Sequence, residues 1–173
     1  MFFAKNILLR RKLGGPIRGG NREANLSIGF FSLFITLSIL LGLFSAPVGM
    51  VHIVVRSTAQ TVALALLAVN LLVGAASLAG LKDSWRVGVL EDQETELVEE
   101  GIYRFSRNPY FLSYLIMFVA YTVLLQNIIL LVLSVVGFAM IHAMVLKEEK
   151  HLADQHGEQY RRYQKRVPRY III

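Results

Sequence analysis

The sequence predicts an all-α, polytopic membrane protein with about four transmembrane helices and a C-terminal interfacial amphipathic helix. Two observations carry this. The chain of 173 residues is 55% hydrophobic and only 17% charged, and its apolar residues fall in long uncharged blocks, not at amphipathic spacing. Its basic residues alternate between rich and poor along the segments that separate those blocks. A soluble helical core is the alternative, and uncharged blocks of this length disfavour it.

The blocks set the helices. Ser27 to Ala46 is uncharged over 20 residues, Ala59 to Leu81 over 23, and Phe111 to Leu146 over 36. A bilayer core of ~30 Å takes about twenty helical residues, so the first two blocks read as one span each. As a single helix the third would be ~54 Å long, too long for one crossing. Gln126 and Asn127 sit in its middle. They predict two helices, 109–125 and 128–146, joined by a tight polar turn. The first of these is short, so it should tilt little or sit beside thinned lipid.

Three regions follow. Residues 1–26 form a basic N-terminal arm with Gly14, Gly15, Pro16, Gly19 and Gly20. Residues 27–81 hold two spans, the second rich in small residues (Gly74, Ala75, Ala76, Ser77, Ala79 and Gly80) that let helices pack closely inside a bundle. Residues 82–173 hold a polar loop, acidic from Glu91 to Glu100, then the helical hairpin and a tail. Trp85, at the start of that loop, suits the headgroup layer. In the tail, Leu152, His156, Tyr160, Tyr163 and Val167 recur at helical spacing and form one stripe, and Pro168 stops the helix. Such a helix lies along the membrane surface or folds over a cavity in the bundle. Composition leaves both open.

Orientation comes from the Lys and Arg counts. Six precede the first span, one lies in the 47–58 loop, four in the 82–108 loop, none in the 126–127 turn and seven after 146. This positive-inside alternation puts both termini and the 82–108 loop in the cytoplasm. Basic flanks beside anionic lipid account for the net charge of +6 without nucleic acid. The apolar run begins late and is long, so it reads as a true span and not a signal peptide. The chain has no cysteine, which excludes disulfides, thiol catalysis, zinc–thiolate sites and prenylation of this chain.

The chemistry-bearing residues gather at two points. Asn108 followed by Pro109 is a helix start, with Asn as the cap and Pro at the first helical position. Its free N–H groups and positive dipole end make an anion site, to which Arg104 and Arg107 can add charge. Glu148 and Glu149 directly follow the last span, and the hairpin returns them to the same side as Tyr103, Arg107 and Asn108. An anion site beside a carboxylate suits a zwitterion carrying both an acid and an amine. A capped helix with snorkelling arginines and a solvated Glu pair would need no ligand. No metal site is expected: Glu148 and His151 form one E-x-x-H where a di-iron bundle needs two, and only His52, His142, His151 and His156 exist. His142 lies within the last span and reads as hydrogen-bonded to a neighbouring helix, not as a metal ligand, and Asn70 in the second span reads as a packing or cavity residue.

The segment "TELVEEGIYRFSRNPYFL", a hydrophobic hairpin, and then "KEEKHLADQHGEQYRRYQKRVPR" together resemble the isoprenylcysteine carboxyl methyltransferase-like family of integral-membrane methyltransferases and the related phospholipid-methylating enzymes. The resemblance covers roughly residues 82–170. It implies S-adenosyl-L-methionine as cofactor, held between the cytosolic ends of the hairpin helices and the folded-back tail. Carried over, the cofactor contacts are Thr95, Glu96, Leu97, Val98, Tyr103, Asn108, Pro109, Tyr110, Phe111 and Glu148. Glu148, Glu149 and His151 are the nearest candidates for a catalytic base, and Arg104, Arg107 and Met144 stand toward the acceptor. Phe111 replaces a Tyr that the family often carries, with Tyr110 beside it. Met144 stands where the isoprenylcysteine enzymes have the Arg that binds the substrate carboxylate. The resemblance therefore implies a small or lipophilic methyl acceptor at the cytosolic membrane face, with membrane lipids as partners, and not carboxyl methylation of a prenylcysteine. A bacterial or archaeal inner membrane is the expected location. An NADPH-dependent membrane reductase of similar C-terminal architecture and a non-enzymatic membrane scaffold are the rival readings.

Overall fold

A computed structural model describes residues 22–44, 48–81 and 97–171. Of the arm expected at 1–26, residues 1–21 lie outside these residues, as do Trp85 and the start of the acidic loop, while residues 22–26 are helical. Among the described residues four helices follow in chain order: α1 (Arg22–Leu43), α2 (Arg56–Gly80), α3 (Pro109–Leu125) and α4 (Ile128–Arg166), with a 3-10 turn at Gly101–Arg104 before α3. By length and composition α1, α2 and α4 can each cross a membrane, and α3, at 17 residues, is a shorter apolar helix. The protein is thus an all-α, polytopic membrane protein. The hairpin helices begin and turn where the sequence predicts.

The core is aromatic. Phe118 of α3 is stacked on Phe31 with centroids 5.4 Å apart and meets Phe34 edge-on at 4.8 Å. These geometries suit the ring quadrupole and tie α1 to the hairpin. Leu130, Ile141 and Val145 close the cluster from α4. Gly137 makes the approach possible, because a Cβ there would lie 2.5 Å from Phe118 and 2.8 Å from Phe30.

α2 packs chiefly along α3. Asn70 Nδ2 donates to the Ser113 carbonyl at 2.6 Å, which makes this intramembrane amide a helix-to-helix tie. Below it Gly74 faces Ser113 and Gly80 faces the Tyr103 ring, with Ser77 fully buried between them. Only part of the small-residue stretch turns inward: Ala76 and Ala79 are exposed, since a helix can aim just one face at its neighbour.

One end of the bundle is closed by the polar turn. Gln126 adopts the left-handed conformation (φ 44°, ψ 55°) and Asn127 caps α4 through Ile129 N–H at 2.9 Å. Both also clasp the α1–α2 connection. Gln126 Oε1 accepts from Ile53 and Val54 N–H at 2.8 and 2.9 Å, and Asn127 Nδ2 donates to the Val48 carbonyl at 2.8 Å.

At the other end α4 runs on past the apolar stretch 128–146 and kinks at Gly157 (φ 52°, ψ −123°), a conformation open essentially to glycine alone. The kink turns the tail back onto the bundle. Tyr160, Tyr163 and Val167 are buried against Leu97, Leu152 and Ala153, so the stripe faces protein. The tail thus folds back over the bundle end.

Candidate functional site

Consecutive glutamates emerge from α4 into different surroundings. Glu149 is 4% exposed and saturated with donors. Its Oε1 accepts from Asn108 Nδ2 at 3.0 Å and pairs with Arg107 Nη2 at 3.1 Å. Its Oε2 accepts from Arg169 Nε and Nη2 at 3.2 and 3.0 Å. Two guanidinium groups and an amide thus compensate the desolvation of one carboxylate, as a buried ion requires. Glu148 is half-buried, past the apolar stretch, with no hydrogen-bond or ion-pair partner among the described residues. Burial, and then the charge of Glu149, push its carboxyl up to about 7.

Tyr103 lies across from Glu148. It is buried, its hydroxyl donates to the Ser77 carbonyl at 3.4 Å, and its own carbonyl accepts from Tyr163 O–H at 2.7 Å. Burial and the Glu148 charge raise its titration, so it stays a neutral phenol. Close contact with Gly80 seats its ring on the end of α2. Tyr110, the second residue of α3, shares a 2.7 Å hydroxyl contact with Tyr114. The result is a carboxylate-and-phenol cluster where α2, α3 and α4 meet.

One expectation is corrected. Asn108 precedes α3 and Pro109 is its first residue, but the Asn108 side chain makes no capping bond. Its NH2 group turns instead to Glu149 and, at 3.3 Å, to the Arg169 carbonyl. Bonding of the NH2 group to a charged carboxylate sets the orientation of the whole amide, so its Oδ1, the atom a cap would use, accepts no N–H of α3. Asn108 is therefore a joint between α3, α4 and the tail.

The remaining predicted residues divide. Tyr103, Asn108, Pro109, Tyr110 and Glu148 converge at this end of the bundle, while Phe111 packs toward the aromatic core and Leu97 against the tail cluster. Val98 is half-buried beside Leu97, and Thr95 and Glu96 lie outside the described residues. His151 is half-buried one turn beyond Glu148, and Met144 is half-buried one turn before it. Arg104 is exposed at the rim, whereas Arg107 is committed to Glu149, with its buried Nε left without a hydrogen-bond partner. His142 bonds through Nδ1 to Tyr170 O–H at 3.1 Å, in the tail and not in a neighbouring helix. Sequence reasoning missed Arg169, Ser106 and Ser77. Only for Arg169 was there a signal: it directly follows the Pro168 stop, in a tail whose apolar stripe had to meet something.

The fold and site define a helical membrane protein with a polar, carboxylate-bearing site at one end of its bundle. The sequence model of one family, described as phospholipid methyltransferase, matches residues 58–159. That segment takes in α2, α3 and most of α4 with the Glu pair, and the chain belongs to this family. Neither the curated proteins nor the solved structures give a match.

Proposed function

We infer that the protein is an S-adenosyl-L-methionine-dependent methyltransferase that acts on an amine-bearing, lipophilic acceptor at the cytosolic membrane face. The observation that carries this reading is Glu148: a half-buried carboxylate, without a partner among the described residues, in a family of membrane methyltransferases. Such a group fits an ammonium. Glu148 and Tyr103 would hold the amino end of the methionine moiety. The N-terminal end of α3, with its dipole, and the spare Nε of Arg107 suit the carboxylate. Leu97, Val98, Tyr110 and Phe111, with Thr95 and Glu96, complete the proposed set. When bound, the cofactor supplies an activated methyl group for in-line displacement, and the protein contributes proximity, alignment and a dry site.

The acceptor class follows from charge. The two guanidinium groups nearest the Glu pair neutralise Glu149, and Met144 is apolar where a carboxylate-binding Arg would be needed. Among the described residues, an acceptor carboxylate beside the Glu pair would meet no uncommitted guanidinium nearer than the exposed Arg104 at the rim. An amine headgroup would meet the phenols of Tyr110 and Tyr114 beside the cofactor. Region 82–173 is then the catalytic part of the chain, with both termini in the cytoplasm as the basic residues require.

The test is methyl transfer from radiolabelled S-adenosylmethionine by purified protein in mixed micelles. Phosphatidylethanolamine and a farnesylated cysteine analogue are offered side by side. Label should pass to the amine lipid. Turnover of the farnesylcysteine alone would overturn the acceptor assignment.

A further inference from the structure

The last residues of the described chain make more polar contacts with the site than their position suggests. The Pro168 carbonyl accepts from Arg107 N–H at 2.9 Å, and the Arg169 carbonyl accepts from Asn108 N–H at 3.1 Å. The same Arg169 carbonyl also takes Ser106 O–H at 3.1 Å. The Arg169 side chain reaches Glu149 through two nitrogens, and Tyr170 binds His142. Three consecutive residues, 168–170, therefore lie as a strap across the entry to α3 and the polar end of α4. They fall beyond the segment matched to the family, which ends at 159.

We propose that Arg169 is a positioning residue: it straps the C-terminal segment onto the start of α3 and, by occupying Glu149, leaves Glu148 as the unpaired member of the acid pair. The geometry explains why both ends of the residue matter. Its carbonyl fixes the backbone at Asn108, so the α3 entry cannot shift. Its guanidinium covers the Glu149 oxygen that Arg107 and Asn108 do not reach. Without it, Arg107 and Asn108 would be drawn toward both oxygens of Glu149, and the backbone that frames the proposed ligand site would lose its clamp. Arg169 touches no ligand in this scheme. It acts through Glu149 and Asn108.

The inference rests on the methyltransferase reading for its effect on the cofactor, but not for the strap itself, and the test separates the two. Full-length protein in detergent is compared with Arg169→Ala and Arg169→Lys by amide hydrogen exchange over residues 105–112. Calorimetric titration with S-adenosylhomocysteine, normalised to folded protein, is run in parallel. Arg169→Ala should speed exchange at Arg107 and Asn108 and weaken binding at least tenfold per folded molecule. Arg169→Lys, which keeps the charge, should recover part of both. A merely structural Arg169 would lower the folded fraction but leave the affinity of the folded molecules at the parent value, and that result overturns the proposal. So does unchanged exchange in Arg169→Ala. If the parent itself fails to bind S-adenosylhomocysteine, the methyltransferase reading falls, and the exchange arm alone decides the strap.

Discussion

Replacing each of the adjacent glutamates by glutamine should move stability in opposite directions. Glu149→Gln removes a charge that neutralises Arg107, whose side chain is 9% exposed, and Arg169, whose side chain is 34% exposed. Breaking a buried pair by deleting one partner costs about 3–5 kcal/mol. The partial exposure of Arg169 places this case near the lower figure, about 3 kcal/mol. At about 2–4 °C per kcal/mol for a chain of this size, the melting temperature should fall by roughly 6–12 °C. Glu148 behaves otherwise. Its folded carboxyl titrates near 7 against 4.5 for a free group, so the folded state prefers it protonated. That preference stabilises the protein fully below 4.5 and is lost as pH rises through 7. At pH 8 the ionised group therefore costs stability, up to about 3 kcal/mol at 1.36 kcal/mol per unit. Glu148→Gln should then melt higher than the parent at pH 8 and no higher at pH 5. The assay is thermal unfolding by circular dichroism in one detergent at both pH values. If both variants lose stability alike at pH 8, the division of labour between the two acids is wrong.

Other expectations follow from the same structure. Binding of S-adenosylhomocysteine should strengthen as pH rises from 5.5 to 7.5, by up to about tenfold per unit below the Glu148 titration near 7, because the ammonium requires the ionised carboxylate; calorimetry across that range should show the slope, and Glu148→Gln should flatten it. Gly137→Ala places a methyl 2.5 Å from Phe118 and should cost about 1–3 kcal/mol of overpacking, seen as a lower melting temperature with unchanged affinity per folded molecule. Asn127→Ala should cost about 1 kcal/mol for the lost cap, and more for the lost tie to Val48, while leaving the distant site intact in the same titration.

Legibility in the sequence tracked the distance over which each interaction acts. The uncharged blocks and the Gln126–Asn127 interruption placed the spans, the hairpin and its turn, because hydropathy and helix breaking are local. The meeting of Tyr103, Asn108 and the Glu pair followed from the hairpin geometry. Asn108 was misjudged because a cap is a local expectation, whereas its amide is oriented by a bond from its NH2 group to Glu149, 41 residues away. The fold-back of the tail stayed open because it depends on one glycine, Gly157, and on Tyr163 finding the Tyr103 carbonyl 60 residues earlier. The differing environments of Glu148 and Glu149 were invisible for the same reason: adjacent residues on a helix point about 100° apart, and only the packed tail decides which is covered.

The central claim, that Glu148 binds the amine of S-adenosylmethionine, is tested most directly by isothermal titration of detergent-purified parent and Glu148→Gln at pH 7.5 with S-adenosylhomocysteine, and with NADPH as the rival ligand. The account predicts saturable binding of S-adenosylhomocysteine by the parent, a loss of roughly tenfold or more in Glu148→Gln from one charged hydrogen bond of about 1.5–3 kcal/mol, and no heat with NADPH. Equal affinity in the parent and Glu148→Gln, or saturable binding of NADPH in place of S-adenosylhomocysteine, would contradict it.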